Sequence, residues 1–555
     1  VSDAASCNEQ GVALAGRGEH ASAIAQYDAA LRLDPTLTDA WANRGNSLVI
    51  TGHFAAADAS YRQALVLHPE HGAAWLGLAY VAMSAKSWRA AIDAYDAALA
   101  ALGPMAMPMV YRGNALLHLG EVDAALADYD AAIAVAPNNA HGWNGKAAAL
   151  ARLYRNEEAL EPSRRAMALA PQEAAVLGTY AAVLCGLGRN AEALPVVDQA
   201  IALQPGDASL HHNRALALHG QRRFAEAQEA YRAAYNIDPD AVDAHWNEAL
   251  LLLAQGDYAT GWAKYEWGWR NGIRGGDRGF GPPWLGETPM GGRRLLLHAE
   301  QGMGDTLQFI RYAKLAADAG AIVHLEVQAP LVRLLRRLPH VASVVAFGEA
   351  SPEFDLHCPL MSLPLAFRTL WHTVPRHIPY LITDPARTDA WRARLPPGLR
   401  VGVVWSGDPR RHQPSAHLID RRRSLHASQL APLAGINVCY VSLQKGEPAG
   451  QPLPDGLTLL DRTDALHDFA DTADLVAALD LVISVDTAVA HVAGALGVPV
   501  WLLNRHDSCW RWRMEGDLTP WYPTMRLFRQ EQAGDWDSVL SAVRASLLAL
   551  AATRR

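Results

Sequence analysis

The sequence predicts an α + α/β chain, an array of repeated helical hairpins followed by two parallel-sheet units in series. Three observations carry this. Proline returns on a 34-residue step at Pro35, Pro69, Pro137, Pro171, Pro205 and Pro239, with Pro104 one residue out of phase. The step ends near residue 270, where a stretch rich in Gly, Pro and Trp runs from Trp267 to Gly292. Beyond it, short apolar runs alternate with helical stretches, which is how strands buried on both faces read. The chain therefore divides into residues 1–270 (repeats), 271–292 (linker), 293–395 (first sheet unit) and 396–555 (second sheet unit with a terminal helix).

Within the array each recurring residue has a physical task. Gly11, Gly45 and Gly113 sit 24 residues before their proline, where two helices must approach closely. Ala79, Ala147, Ala181, Ala215 and Ala249 are the small residues of other units. Tyr27, Tyr61, Tyr95, Tyr129, Tyr231 and Tyr265 recur on the second helix, with Ala23, Ala57, Ala91, Ala125 and Ala159 four residues before the aromatic position. Trp41, Trp75, Trp143 and Trp246 recur on the first helix. Aromatics fill the gaps between units, and proline ends the second helix. A 34-residue helix–turn–helix period is that of the tetratricopeptide repeat. Such arrays stack into a superhelix whose concave face is lined by first helices. Asn43, Asn213 and Asn247 share one first-helix position, and Arg44, Arg112 and Arg214 the next. They are candidates to hold a peptide or protein; solvated polar residues between units are the alternative.

Composition narrows the class. The net charge is −8 and no basic run is interleaved with aromatics, which argues against a nucleic-acid carrier. The dense basic stretch Arg410, Arg411, Arg421, Arg422, Arg423 suits phosphate better than a duplex. Cys7, Cys185, Cys358, Cys439 and Cys509 are scattered and odd in number, against a disulfide framework or structural zinc and for a reducing, cytoplasmic setting. No apolar run reaches the length of a membrane span. The chain opens directly in repeat sequence, without a secretory leader.

In the second region Leu295–Leu297, Ile322–Val327, Ser343–Phe347 and Asp355–Cys358 read as strands, with helical Thr306–Ala319 and Leu331–Leu338 between them. After Pro396-Pro397 the pattern restarts with strands at Arg400–Trp405, Val438–Leu443, Leu457–Leu460, Leu481–Val485 and Val500–Leu503. Helices are expected at Asp471–Leu479, Ala488–Leu496 and Trp536–Leu550. This is a pair of Rossmann-like halves with a cleft between them.

Two motifs carry chemistry. Glu300-Gln301-Gly302-Met303-Gly304-Asp305 follows the first strand and opens a helix. Glycines let backbone pass close to a ligand, and a helix N-terminus attracts negative charge. Asp305 could instead be a plain helix cap. The second motif is the strand ending in Asp486-Thr487, then Ala488, Val489, Ala490 and His491. It delivers a helix N-terminus to an anion such as a diphosphate. His491 alone could be a satisfied buried histidine.

On these residues the second region resembles the heptosyltransferase-type glycosyltransferases of the GT-B fold, over about residues 290–530. The arrangement of repeats also resembles that of the protein O-GlcNAc transferases, where an asparagine ladder holds a peptide backbone. In this chain the ladder is broken at Tyr111 and Gly145. The resemblance implies Asp305 as general base, and Asp486, Thr487 and His491 as the donor-binding turn with Gly302 and Gly304 opposite. It implies Ser406 and Gly407 as a phosphate-contacting loop, Arg423-Ser424 where heptosyltransferases present lysine, and Gln444-Lys445 as nucleotide contacts. It also implies a terminal helix crossing back to the first half. Two departures are arginine for lysine at Arg423 and Ala488 for the usual glycine.

Sugar transfer needs stabilised leaving-group charge and a base for the acceptor hydroxyl. Helix N-termini and cationic side chains supply the first in GT-B enzymes, and no carboxylate pair here suits a metal. Asp128 and Asp130 lie in repeat helices, and Asp535 and Asp537 near the terminal helix. The expectation is a cytoplasmic, inverting, metal-independent glycosyltransferase without cofactor, taking a nucleotide sugar and a protein acceptor selected by the repeats. The alternatives are a non-catalytic scaffold with a degenerate GT-B domain, or an enzyme acting on lipopolysaccharide.

Overall fold

The computed structural model describes residues 2–553. The chain divides into two compact units, with the boundary between Arg223 and Phe224. From Ser2 to Tyr265 run sixteen successive helices, the tetratricopeptide array. The proline step has a concrete cause. The indole N–H of Trp41 donates to the Pro35 carbonyl at 2.9 Å, and Trp75 and Trp143 donate to Pro69 and Pro137 at 2.8 Å. His211 and His245 sit at the same place, 3.0 and 3.2 Å from the Pro205 and Pro239 carbonyls. Each such ring clips the turn before its own helix. Trp246 is one residue out of this register and is core instead, 7 % exposed.

The glycine–tyrosine pairing is steric. A Cβ on Gly45 would lie 2.5 Å from Tyr61 Cε1, and one on Gly113 2.8 Å from Tyr129 Cε1. The arginine row is occupied within the array. Arg44–Asp28 (2.7 Å), Lys146–Asp130 (2.6 Å), Arg214–Asp198 (2.8 Å) and Arg112–Asp96 repeat one clip at a separation of 16 residues. Partly exposed pairs of this kind contribute about 0–1 kcal/mol each. The asparagines also bridge repeats: Asn43 donates to Asn8 Oδ1 at 3.3 Å, and Asn213 to the Gly178 carbonyl at 3.2 Å.

The second compact unit begins at Phe224, ahead of the boundary expected near residue 270. The last three repeat helices, Phe224–Ile237, Val242–Gln255 and Tyr258–Tyr265, belong with the α/β region. Bulky aromatics are the reason. Tyr258, Trp262 and Tyr265 are at most 2 % exposed, and the Trp262 ring meets Trp510 at 5.2 Å, Phe309 at 6.0 Å and Trp521 at 6.4 Å. Each such ring removes a large apolar area from water, so the final hairpin is part of the α/β core.

Two all-parallel sheets follow. The first holds β1 (Arg294–His298), β2 (Ile322–Val327), β3 (Val341–Ala346) and β4 (Leu356–Pro359), in the order β3-β2-β1-β4. The second holds β5 (Arg400–Val404), β6 (Cys439–Ser442), β7 (Leu460–Asp461), β8 (Leu481–Val485), β9 (Val500–Asn504) and β10 (Met525–Arg529). Its order is β10-β9-β8-β5-β6-β7, the doubly wound Rossmann arrangement. The apolar runs read from sequence carry strands, except that Leu457–Leu460 meets β7 only at Leu460, and β10 is additional. The stretch read as one helix over Thr306–Ala319 is two, Met303–Phe309 and Tyr312–Asp318. They part at Arg311, whose buried guanidinium donates to the Trp521 carbonyl at 2.7 Å and the Pro375 carbonyl at 2.9 Å. The terminal helix Trp536–Thr553 does not cross back. Its Val539, Leu540, Val543 and Leu547 join the core under the second sheet with Val401, Ile483 and Phe528.

Candidate active site

In open parallel sheets ligands bind outside the carboxyl ends of the strands, where the strand order reverses. That point lies between β1 and β4 in the first sheet and between β5 and β8 in the second. The loops after β5, β6 and β8 are therefore neighbours. Gln444 is buried and its Oε1 accepts from Trp405 N at 3.1 Å and Ser406 N at 2.9 Å, so it shapes the loop after β5. Ser424 Oγ accepts from Gly407 N at 2.9 Å. A Cβ on Gly407 would collide with Asp420 and Arg423, so the arginine lies over the loop. Its Nε is 3.0 Å from Asp420 Oδ1. Lys445, after β6, donates its ammonium to the Leu466 carbonyl.

After β8, Thr487 is the extended N-cap of the buried, apolar helix Ala488–Leu496, its hydroxyl 3.0 Å from Ser484 Oγ. Asp486 beside it stays ionised below the usual carboxylate range. Burial pushes it up, but His491, Arg423, the Trp512 indole N–H and Arg511 together outweigh that. His491 Nδ1 is 2.9 Å from the Tyr522 hydroxyl and Nε2 is 3.9 Å from Asp486 Oδ1, with the ring stacked on Trp512 at 5.4 Å. Burial pulls the imidazole down to about 4 despite Asp486, so it is neutral near pH 7.

The two motifs meet. A Cβ on Gly304 would lie 3.0 Å from His491 Cδ2 and 3.7 Å from Ala488 Cα. A side chain there would press on the His491 ring, so the two halves pack closely at this glycine. Asp305 Oδ2 accepts from Gly302 N at 2.9 Å, capping its own short helix, while Oδ1 pairs with Arg511. Arg511 reaches across from the loop after β9 and also donates to Gln308 Oε1 at 3.0 Å and Cys509 Sγ at 3.1 Å. Burial works against its charge, but the Asp305 carboxylate more than offsets this and the guanidinium is held protonated.

Sequence reasoning did not reach Arg511, Trp512 or Tyr522, although the alternation Trp510-Arg511-Trp512-Arg513 between two strands was a visible signal. Asn43 and Asn213 lie on helices of the first compact unit, and Asn247 on the helix Val242–Gln255 of the second. Gly302 and Gly304 lie at the junction of the halves. A cavity of about 340 Å³ opens between linker residues Phe280–Thr288 and the start of β4, at the opposite end of that strand from the β1 loop. Among the described residues no group of three or more His, Cys, Asp or Glu side chains is placed to hold a metal ion, and no helix is long and apolar enough to cross a membrane.

Comparison with known proteins finds matches in both the repeat and the α/β regions. Residues 42–106, 112–174, 183–241 and 212–265 match the tetratricopeptide repeat family. Residues 458–532, from β7 to just past β10, match glycosyltransferase family 9 (heptosyltransferase). That match supports a glycosyltransferase activity for the α/β region. A curated relative, Protein FlbA of Caulobacter vibrioides, is 28 % identical over 307 residues, covering 49 % of each chain. The chain thus spans about half the length of that relative. Similar solved structures include a tetratricopeptide repeat protein from Parabacteroides merdae, with TM-score 0.37 and 18 % identity over 43 % of this chain and 94 % of that one. Yeast Tom70 is similar at TM-score 0.32 and 20 % identity over 44 % of this chain and 54 % of that one.

Proposed function

We propose that the chain is an inverting GT-B glycosyltransferase that moves a sugar from a nucleotide sugar to a protein acceptor held by the repeats. The observation that carries this reading is the junction of the two halves. The Asp486-Thr487 turn and the Gly304-Asp305 turn, each at a sheet's reversal point, pack so closely that a Cβ on Gly304 would lie 3.0 Å from His491 Cδ2. The donor's phosphate oxygens fit the N-terminus of the Ala488–Leu496 helix, with Arg423 and the Ser406-Gly407 loop alongside. Stabilising the departing nucleotide there lowers the barrier most, since that is where charge develops. Asp305 is the base for the acceptor hydroxyl. Its carboxylate is occupied while paired with Arg511, so proton abstraction requires Arg511 to turn toward the donor's charge. Gln444 acts through the loop it shapes.

Acceptor selection rests on the array, with Asn43, Asn213 and Asn247 on its first helices. The cytoplasm, where nucleotide sugars are made, is the matching location. One observation favours a second reading, a binding scaffold without turnover: both Asp305 carboxylate oxygens are engaged. A panel of nucleotide sugars separates the two. Thermal stabilisation by one donor together with its slow hydrolysis supports the enzyme. Stabilisation without hydrolysis or transfer supports the scaffold, and no stabilisation by any donor removes the enzyme reading.

A further inference from the structure

Beyond the residues that the donor reading uses, the carboxyl ends of β9 and β10 hold a group of unmet polar atoms. Arg505 directly follows β9, and its side chain is only 14 % exposed. Its Nη1 is shielded from solvent without a hydrogen-bond partner, and its charged neighbour is Asp507, with Nε 3.4 Å from Oδ1. Asp507 is shared, because Arg422 Nη1 binds its other oxygen at 2.6 Å. Two guanidinium groups thus face one carboxylate. Beside them the ring nitrogen His506 Nδ1 and the amide nitrogen Gln530 Nε2 are also buried without partners. Gln530 directly follows β10, is 5 % exposed, and its Oε1 accepts from His506 N at 3.1 Å. Burying charged and polar donors unmet is costly, so such groups are normally paired. Arg422 is pulled below the usual arginine range by partial burial and by Arg505, against the opposing pull of Asp507.

The position is informative as well. β9 adjoins β8, which ends beside Asp486, and Arg422 precedes Arg423 on the Pro414–Arg423 helix. We propose that Arg505 and Arg422, with Gln530 behind them, form an anion subsite beside the Asp486-Thr487 turn. It takes an anionic oxygen group of the donor, either a phosphate or a carboxylate on the transferred sugar. This rests on the donor reading only for the identity of the molecule that carries the anion.

The experiment titrates the full chain with inorganic pyrophosphate and, separately, with glucuronate, in wild type, Arg505→Gln, Arg422→Gln and Thr487→Ala. The subsite requires affinity for at least one probe to fall by about tenfold or more in Arg505→Gln, the size of a lost charge-assisted contact. A loss confined to pyrophosphate assigns phosphate, and one confined to glucuronate assigns an acidic sugar. It also requires Arg505→Gln to stay folded without ligand at the titration temperature, since Nη1 has no partner there and the Asp507 pair at 3.4 Å is what the change removes. Unchanged affinity for both probes overturns the proposal, as does a ligand-free variant already unfolded at that temperature, which marks Arg505 as structural. If Arg505→Gln weakens binding and Thr487→Ala does not, the subsite stands and the helix N-terminus loses its donor role.

Discussion

Asp305→Asn tests structure and chemistry at once, and the two effects can be separated. The amide keeps the shape and still accepts from Gly302 N, so the helix cap survives. The charge is lost, and Arg511 keeps only neutral partners at Gln308 and Cys509. Removing one member of a buried ion pair costs about 3–5 kcal/mol. Asp305 is one-fifth exposed and those partners remain, so the expected loss falls at or below the lower end, about 2–3 kcal/mol. Adding Arg511→Met takes the unpaired charge away and should restore most of that stability. Catalysis should respond differently. Turnover should fall by about 10²–10⁴-fold in Asp305→Asn with donor affinity nearly constant, and should not recover in the double variant. The assays are urea unfolding followed by circular dichroism, and single-turnover transfer. Full transfer by Asp305→Asn refutes its role as base. A stability loss below about 0.5 kcal/mol refutes the ion pair as a clamp between the halves.

Thr487→Ala or Arg423→Ala should weaken nucleotide-sugar binding by about 1–3 kcal/mol in calorimetry, and unchanged affinity in both would put the donor elsewhere. His491 should make stability depend on pH. Its folded value of about 4 lies below the ordinary 6.5, so the unfolded chain takes up the proton first. The contribution is intact above pH 6.5 and is lost as pH falls toward 4, about 3 kcal/mol in all. Unfolding titrations from pH 7 to 4 should show His491→Gln losing that much less than wild type. Truncation should be sensitive to its start: residues 224–555 should fold and bind donor without transferring to protein, whereas residues 271–555 should fail to fold, read by circular dichroism and donor titration. A well-folded 271–555 fragment would show that Tyr258, Trp262 and Tyr265 are dispensable.

What could be read from the sequence was whatever repeats or alternates. The proline step, the glycine–tyrosine pairing and the apolar strand runs are local or periodic, and all follow from close packing. β10, an edge strand, was missed because Arg526 and Arg529 leave Met525–Arg529 without a continuous apolar run. The break at Arg311 depends on carbonyls more than sixty residues away, which no local pattern encodes. The site motifs were legible as strand–turn–helix units. Their meeting was not, since what crowds Gly304 is His491 in the other half. The role of Arg511 was hidden for the same reason: its partner Asp305 lies 206 residues earlier in the chain.

The last hairpin connects these findings. Glu266 follows the helix Tyr258–Tyr265, and fully buried Arg274 pairs with it at 2.6 Å. The same guanidinium pairs with Glu300 at 2.6 Å, at the start of the loop that carries Gly302, Gly304 and Asp305. Burial raises Glu300 to about 7 even against Arg274, so this carboxylate sits where small changes in its surroundings alter its charge. Ser362 Oγ bridges the network, 2.9 Å from both Arg274 Nη2 and Glu266 Oε1. A buried network of this kind is costly to break at any one member. The end of the repeat array is thereby fixed to the loop that presents the proposed base.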